Sequence, residues 1–247
     1  MSLQHNLIFL FLLMTSISVA VLASQQKLYD NLELEAHSQH LLEELQFQRI
    51  ENENVIVYVS KNVATSEKTV ILLPGARSTL GIWSRRITLN HGYEKGSMYP
   101  YVTKCLENNI GVVIMQPKVE SVLYLEDGMK IISSLVATHV DIVAHSRGGL
   151  YLMQWLSDKS ADFVETSKID KCHLLDSVHE NEPEHLKEWL KERVINWAAS
   201  EEDIGKLVNP GDLLYEGHSY ITWKSAGHEL HEWTPYFAKD YVFSYII

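Results

Sequence analysis

The sequence predicts an α/β fold: a mostly parallel sheet covered by helices on both faces. Two observations predict it. Short runs of β-branched and aliphatic residues alternate along the chain with amphipathic stretches at helical spacing. The short runs are continuously apolar instead of alternating with polar residues, the pattern of strands buried on both faces. With 247 residues the chain has ample length for such a core, and 46% hydrophobic content argues against wholesale disorder.

The elements follow in order. Leu28–Phe47 is amphipathic, with Leu32, Leu34, His37, Leu41, Leu42 and Leu45 near helical spacing. Strands are expected at Val55–Val59, Thr69–Leu73, Gly111–Met115, Val140–Ala144, Cys172–Leu175, Val194–Trp197 and Tyr220–Trp223, each ended by turn or polar residues. Helices are expected at Met98–Glu107, Ser121–Thr138, Gly149–Phe163 and Glu184–Arg193, with a closing helix over Trp233–Ile247. Pro183 and Pro235 suit first-turn positions of the last two. No repeat or long linker interrupts the pattern, so residues 24–247 read as one domain. In such sheets ligands bind beyond the carboxyl ends of the strands.

The segment Leu7–Ala23 carries no charge and runs into Ser24-Gln25-Gln26, with Val21 and Ala23 in the small-residue pattern of a secretory cleavage site. It is short for a membrane anchor, which needs about 20 apolar residues. Nothing before Leu7 is Lys or Arg. The expectation is a signal peptide or signal-anchor over residues 1–23, with the protein secreted or in the endoplasmic reticulum lumen. Stable membrane association is not expected once the signal is cleaved. In that compartment Cys105 and Cys172 would be able to pair; two separately buried thiols are the alternative. Asp and Glu total 32 against 21 Lys and Arg, a net charge of −11, which argues against direct nucleic-acid binding.

The chemistry-bearing segment is Val140–Met153, a strand, then Ala144-His145-Ser146-Arg147-Gly148-Gly149, then a helix. This is the nucleophile-elbow pattern G-x-S-x-G with Ala in the first position. Small residues are needed two before and two after the serine because the turn is so tight. The turn lifts the Ser146 hydroxyl onto the start of the following helix, where the Arg147 N–H serves as an oxyanion donor. A second donor comes from an earlier strand–loop junction, here Pro74-Gly75-Ala76-Arg77, with Ala76 or Arg77 supplying it. A hydroxyl needs a base, and the base an acid to orient it. In chain order the acids that follow strands are Asp176 and Asp203, and the histidines that follow are His228 and His231.

Several motifs carry a family resemblance. They are Gly81-Ile82-Trp83, the run Arg85 to Pro100 (RRITLNHGYEKGSMYP), Ala144-His145-Ser146 with Gly148-Gly149, Asp176-Ser177-Val178-His179, Asn196-Trp197, and Ser225-Ala226-Gly227 followed by His231-Glu232 and Thr234. Together, in this order from about Thr69 to Phe237, they resemble the Arb-two-like family of cotranscriptional regulators related to Argonaute-binding protein two. The resemblance implies an α/β-hydrolase fold. It places the histidine on His231 and the Asp-Ser-Val-His motif on Asp176, whereas Asp203 fits the general position of the acid in the fold. It also implies an association with small-RNA-guided heterochromatin silencing, and a nuclear or cytoplasmic location as the alternative to secretion. Related domains fused to fungal histone deacetylases act as interaction modules. This chain departs from the nuclear members: a signal-like segment replaces their longer N-terminal region, and Pro117–Asp127 is too short for their charged insertion.

Two functions follow as expectations. The first is a serine hydrolase acting on an ester, thioester or amide of a small-molecule or protein-borne acyl substrate. Ser146 is its nucleophile, His231 its base, Asp176 or Asp203 the acid, and Ala76 and Arg147 the oxyanion donors. The second is a catalytically silent hydrolase-fold module with protein partners. No cofactor is expected, since no G-x-G-x-x-G or phosphate loop follows the first strands. No metal is expected either, because the histidines lack an H-E-x-x-H arrangement.

Overall fold

In the computed structural model, residues 30, 32–135, 139–179, 182–213 and 219–247 are described, so the apolar segment at residues 7–23 lies outside them. Eight strands form one sheet: β1 (Gln48–Glu51), β2 (Val55–Val59), β3 (Lys68–Leu73), β4 (Gly111–Pro117), β5 (His139–His145), β6 (Ile169–Leu175), β7 (Val194–Ala198) and β8 (Thr222–Ser225), in the order β1-β2-β4-β3-β5-β6-β7-β8. β1 pairs antiparallel with β2, and β2 with β4; every pairing from β4 through β3 to β8 is parallel. The architecture is α/β-hydrolase-like, as the sequence predicts.

Helices cover both faces. On one side lie α5 (Leu123–Ser133), α6 (Arg147–Ser157) and α8 (Lys187–Arg193), which bury Tyr124, Leu125, Leu152, Leu156, Trp189 and Leu190 against the sheet. On the other lie α1 (residues 32–44), α4 (Tyr99–Glu107) and α9 (Thr234–Ile246), with Leu42, Tyr101, Val102, Val242 and Phe243. The strand side chains divide accordingly: Ile71 and Leu73 face the first layer, Val70 and Leu72 the second. All four are fully buried, which is why β3 is apolar without a break from Val70 to Leu73.

The departures from the expected elements have local causes. β1 is mostly exposed and polar at the sheet edge, so it carries no periodic signal. The helix expected over Gly149–Phe163 starts at Arg147 and stops at Ser157; Ser160 then caps a separate α7 (Ala161–Thr166) by accepting the Phe163 N–H at 3.1 Å. The last strand sits two residues later than expected. The run Arg85–Pro100 contains two further short helices, α2 (Arg85–His91) and α3 (Tyr93–Gly96). Gly96 is required there, since a Cβ would lie 2.3 Å from the Thr88 nitrogen.

Cys105 and Cys172 are both buried free thiols, so of the two alternatives they are separate and do not pair. Burial raises both thiol pKa values, that of Cys105 to about 12.

The two-layer packing makes a direct prediction. Leu72→Ala, at a fully buried position, should cost about 2–5 kcal/mol in urea unfolding. Leu32→Ala, at an exposed one, should cost under about 0.5 kcal/mol. Equal costs would contradict the layering.

Candidate active site

The chain runs from β3 to β4 on one side of β3, then returns to β5 on the other. The loops leaving β3 and β5 therefore diverge, and a crevice opens between them at the carboxyl ends. Ser146 lies there, directly after β5 and before α6. Its φ of 54° and ψ of −123° are sparsely populated for a residue with a side chain, at a cost of order 1–3 kcal/mol. The turn is held by the Ser146 N–H donating to the Leu175 carbonyl and the Gly149 N–H donating to the Ser146 carbonyl, both at 3.1 Å.

The elbow is pressed against β3. A Cβ on Gly148 would lie 2.6 Å from the Pro74 carbonyl oxygen and 2.8 Å from that of Leu73. One on Gly149 would lie 2.2 Å from the Ser177 Oγ. Gly75 faces the serine itself, since a Cβ there would stand 3.2 Å from Ser146 Cβ and 3.6 Å from its Oγ. The loop expected to supply the second oxyanion donor is thus in contact with the serine. Among the described residues, no hydrogen bond uses the backbone N–H of Ala76, Arg77 or Arg147.

Asp176 follows β6 directly and also has a positive φ, 49°. One of its oxygens accepts the Ala199 N–H at 2.9 Å; the other lies 2.6 Å from His231 Nδ1. That contact fixes the imidazole and favours a proton on Nδ1, leaving Nε2 as the basic nitrogen. The Asp176 loop is braced in turn by buried Asn196, whose Oδ1 accepts the Ser177 N–H at 3.1 Å. No hydrogen bond joins Ser146 Oγ to His231 among the described residues, although both line one cleft. Such bonds commonly tighten only with substrate bound.

Asp203 is exposed in the loop after β7, where its backbone carbonyl accepts the Lys206 N–H at 3.1 Å. The His228 ring stacks on Phe237 at 4.7 Å, and its Nδ1 accepts the Leu230 N–H at 3.0 Å. Of the two acids and two histidines left open by the sequence, Asp176 and His231 are the pair brought together. Ser225, Ala226 and Gly227 explain how His231 is delivered. Ala226 is fully buried, Ser225 Oγ accepts the Gly227 N–H, and Gly227 adopts a φ of 76° where a Cβ would strike Ile204. Thr234 Oγ1 then donates to the His231 carbonyl at 2.9 Å.

Sequence reasoning assigned no role to His145. It is buried, stacks on His231 at 4.8 Å, and meets Trp83 edge-on at 6.1 Å. Neither ring nitrogen has a hydrogen-bond partner. Burial lowers its pKa to about 3, so it is neutral at ordinary pH. The signal was present in Ala144-His145-Ser146, but a histidine beside a strand end carries no pattern of its own. Among the described residues, no group of His, Cys, Asp and Glu is placed to hold a metal ion.

Residues 45–127 match a family model described as the Arb2 domain. The FAM172 family protein homolog Y75B8A.31 of Caenorhabditis elegans is 28% identical over 205 residues, covering 76% of this chain and 62% of its own. The cotranscriptional regulator ARB2A of Homo sapiens is 20% identical over 251 residues, covering 73% and 59%. The chain spans about three fifths of the length of these two curated relatives. Among solved structures, the histone deacetylase Clr3 superposes with a TM-score of 0.57 at 11% identity, over 85% of this chain and 37% of that one; this is a likeness of fold. These matches bear out the family resemblance carried by the motifs. The matched model segment ends before Ser146, Asp176 and His231.

The buried imidazoles of His145 and His173 have pKa values lowered to about 3 in the fold, against an ordinary 6.5. The unfolded chain therefore binds more protons below pH 6.5, and these groups make stability fall as pH drops from 6.5 toward 3. Each contributes a slope of up to about 1.4 kcal/mol per pH unit. Denaturant unfolding at pH 6.5 and 4.5 should show that loss, and His145→Phe should reduce it by about 1–3 kcal/mol. An undiminished loss in the variant would contradict the neutral buried state.

Proposed function

We propose that the protein is a serine hydrolase that cleaves an ester, thioester or amide through an acyl-enzyme on Ser146. The observation that carries this reading is the 2.6 Å contact of His231 Nδ1 with Asp176, in the same cleft as a serine held on a tight strand–helix turn. In this reading His231 Nε2 takes the Ser146 proton as Oγ attacks the carbonyl, and then gives it to the leaving group. Asp176 orients the imidazole and stabilises its charged form. The N–H groups of Arg147 and of Ala76 or Arg77 receive the developing oxyanion. Asp203 has no part in it.

A fluorophosphonate probe should label the wild-type protein and not Ser146→Ala. Asp176→Asn should slow labelling by roughly 10³–10⁴-fold, whereas Asp203→Asn should leave it unchanged. Folded wild-type protein that resists the probe would overturn the enzyme reading.

The names of the relatives favour a second reading, an α/β-hydrolase-fold module that binds protein partners in cotranscriptional regulation. The fold hosts both uses. Those names also favour the nuclear or cytoplasmic alternative over secretion. Sequencing the N-terminus of the protein from its native cells tests the cleaved signal: a chain beginning at Ser24 marks secretory processing, and one retaining residues 1–23 overturns it.

A further inference from the structure

The cleft in front of Ser146 encloses about 630 Å³, and its far wall is formed by the residues leading into α2. In a chain of net charge −11 this wall carries cations. Arg77, Arg85 and Arg86 line the cleft, with Asp30 and Glu232 as the carboxylates. Their pairing is unequal. Arg86 is bound to Glu232, and Arg77 lies 3.6 Å from Glu120 outside the cleft. Arg85 is half-buried and makes no ion pair or hydrogen bond among the described residues.

Trp83 also lines the cleft, but its Nε1–H, which has no acceptor, is buried out of a ligand's reach. Arg85 is the group left to recognise a ligand. A guanidinium only donates. Unpaired in front of Ser146, it calls for an acceptor-rich, negatively charged partner. Arginine suits a carboxylate or phosphate best, because its fork binds either in a bidentate manner.

We propose that the substrate carries an anionic group, a carboxylate or phosphate, which Arg85 binds while its acyl carbonyl lies over Ser146. Arg85 thus sets substrate class. The inference rests on the hydrolase reading of the cleft, but it concerns binding and is testable without turnover.

The test uses full-length Ser146→Ala, titrated calorimetrically with monoethyl succinate, monoethyl glutarate, ethyl phosphate and neutral ethyl butyrate. At least one anion should bind ten or more times tighter than ethyl butyrate, and the better of the carboxylates and the phosphate names the group. Adding Arg85→Gln should abolish the preference, and Arg85→Lys should keep part of it. Thermal unfolding of each variant verifies the fold. Equal binding of anionic and neutral probes, or a preference that survives Arg85→Gln, would overturn the proposal. Anion binding in a protein whose wild type resists fluorophosphonate would overturn the hydrolase reading and leave the anion site standing. Labelling without anion preference would do the reverse.

Discussion

The contact between the elbow and the end of β3 is the constraint on which the site depends. Gly148 lies so close to the carbonyls of Leu73 and Pro74 that no side chain fits between them. This closeness seats Ser146 against Gly75, and α6 must start at that point and in that direction. It also fixes the register of β5 beside β3, where Leu73 pairs with Ala144 and Leu72 with Val143. The serine is positioned by main-chain packing, and therefore by parts that cannot change rotamer.

Backbone strain is concentrated in the same place. Arg77, Ser146 and Asp176 all have positive φ, and each lies just beyond the end of a neighbouring parallel strand. Such conformations persist only where the surroundings over-determine them. Here β3, β5 and β6 are central strands with both faces covered, and the residues preceding each turn are fully buried. The core holds the turns in shape, and the turns place Ser146 and Arg77 in the cleft and the Asp176 carboxylate on the His231 imidazole that lines it.

Much of this was legible in the sequence. Continuous apolar runs such as Val70-Ile71-Leu72-Leu73 identified the central strands, because burial on both faces leaves no polar position. The tight turn was legible from Ala144, Ser146 and Gly148, since small residues at that spacing have few other uses between a strand and a helix. The choice between Asp176 and Asp203 was not legible. It depends on which loop reaches His231, a matter of strand order and not of local pattern. Arg85 and Trp83 were visible only as parts of a motif; that one is unpaired and the other has no acceptor emerges only when their neighbours are known. Edge strand β1 left no trace because exposure on both sides removes any demand for apolar residues.

The burial of Cys105 and Cys172 bears on where such a chain can operate. Burial pushes the Cys105 thiol up to about 12 and raises that of Cys172 by the same cause, so both are held protonated at pH 7. Thiol exchange proceeds through the thiolate, so both sulfurs are inert toward glutathione and toward disulfide-forming catalysts. The fold is consequently indifferent to the redox potential around it, and an oxidising lumen and a reducing nucleus would each receive the same molecule.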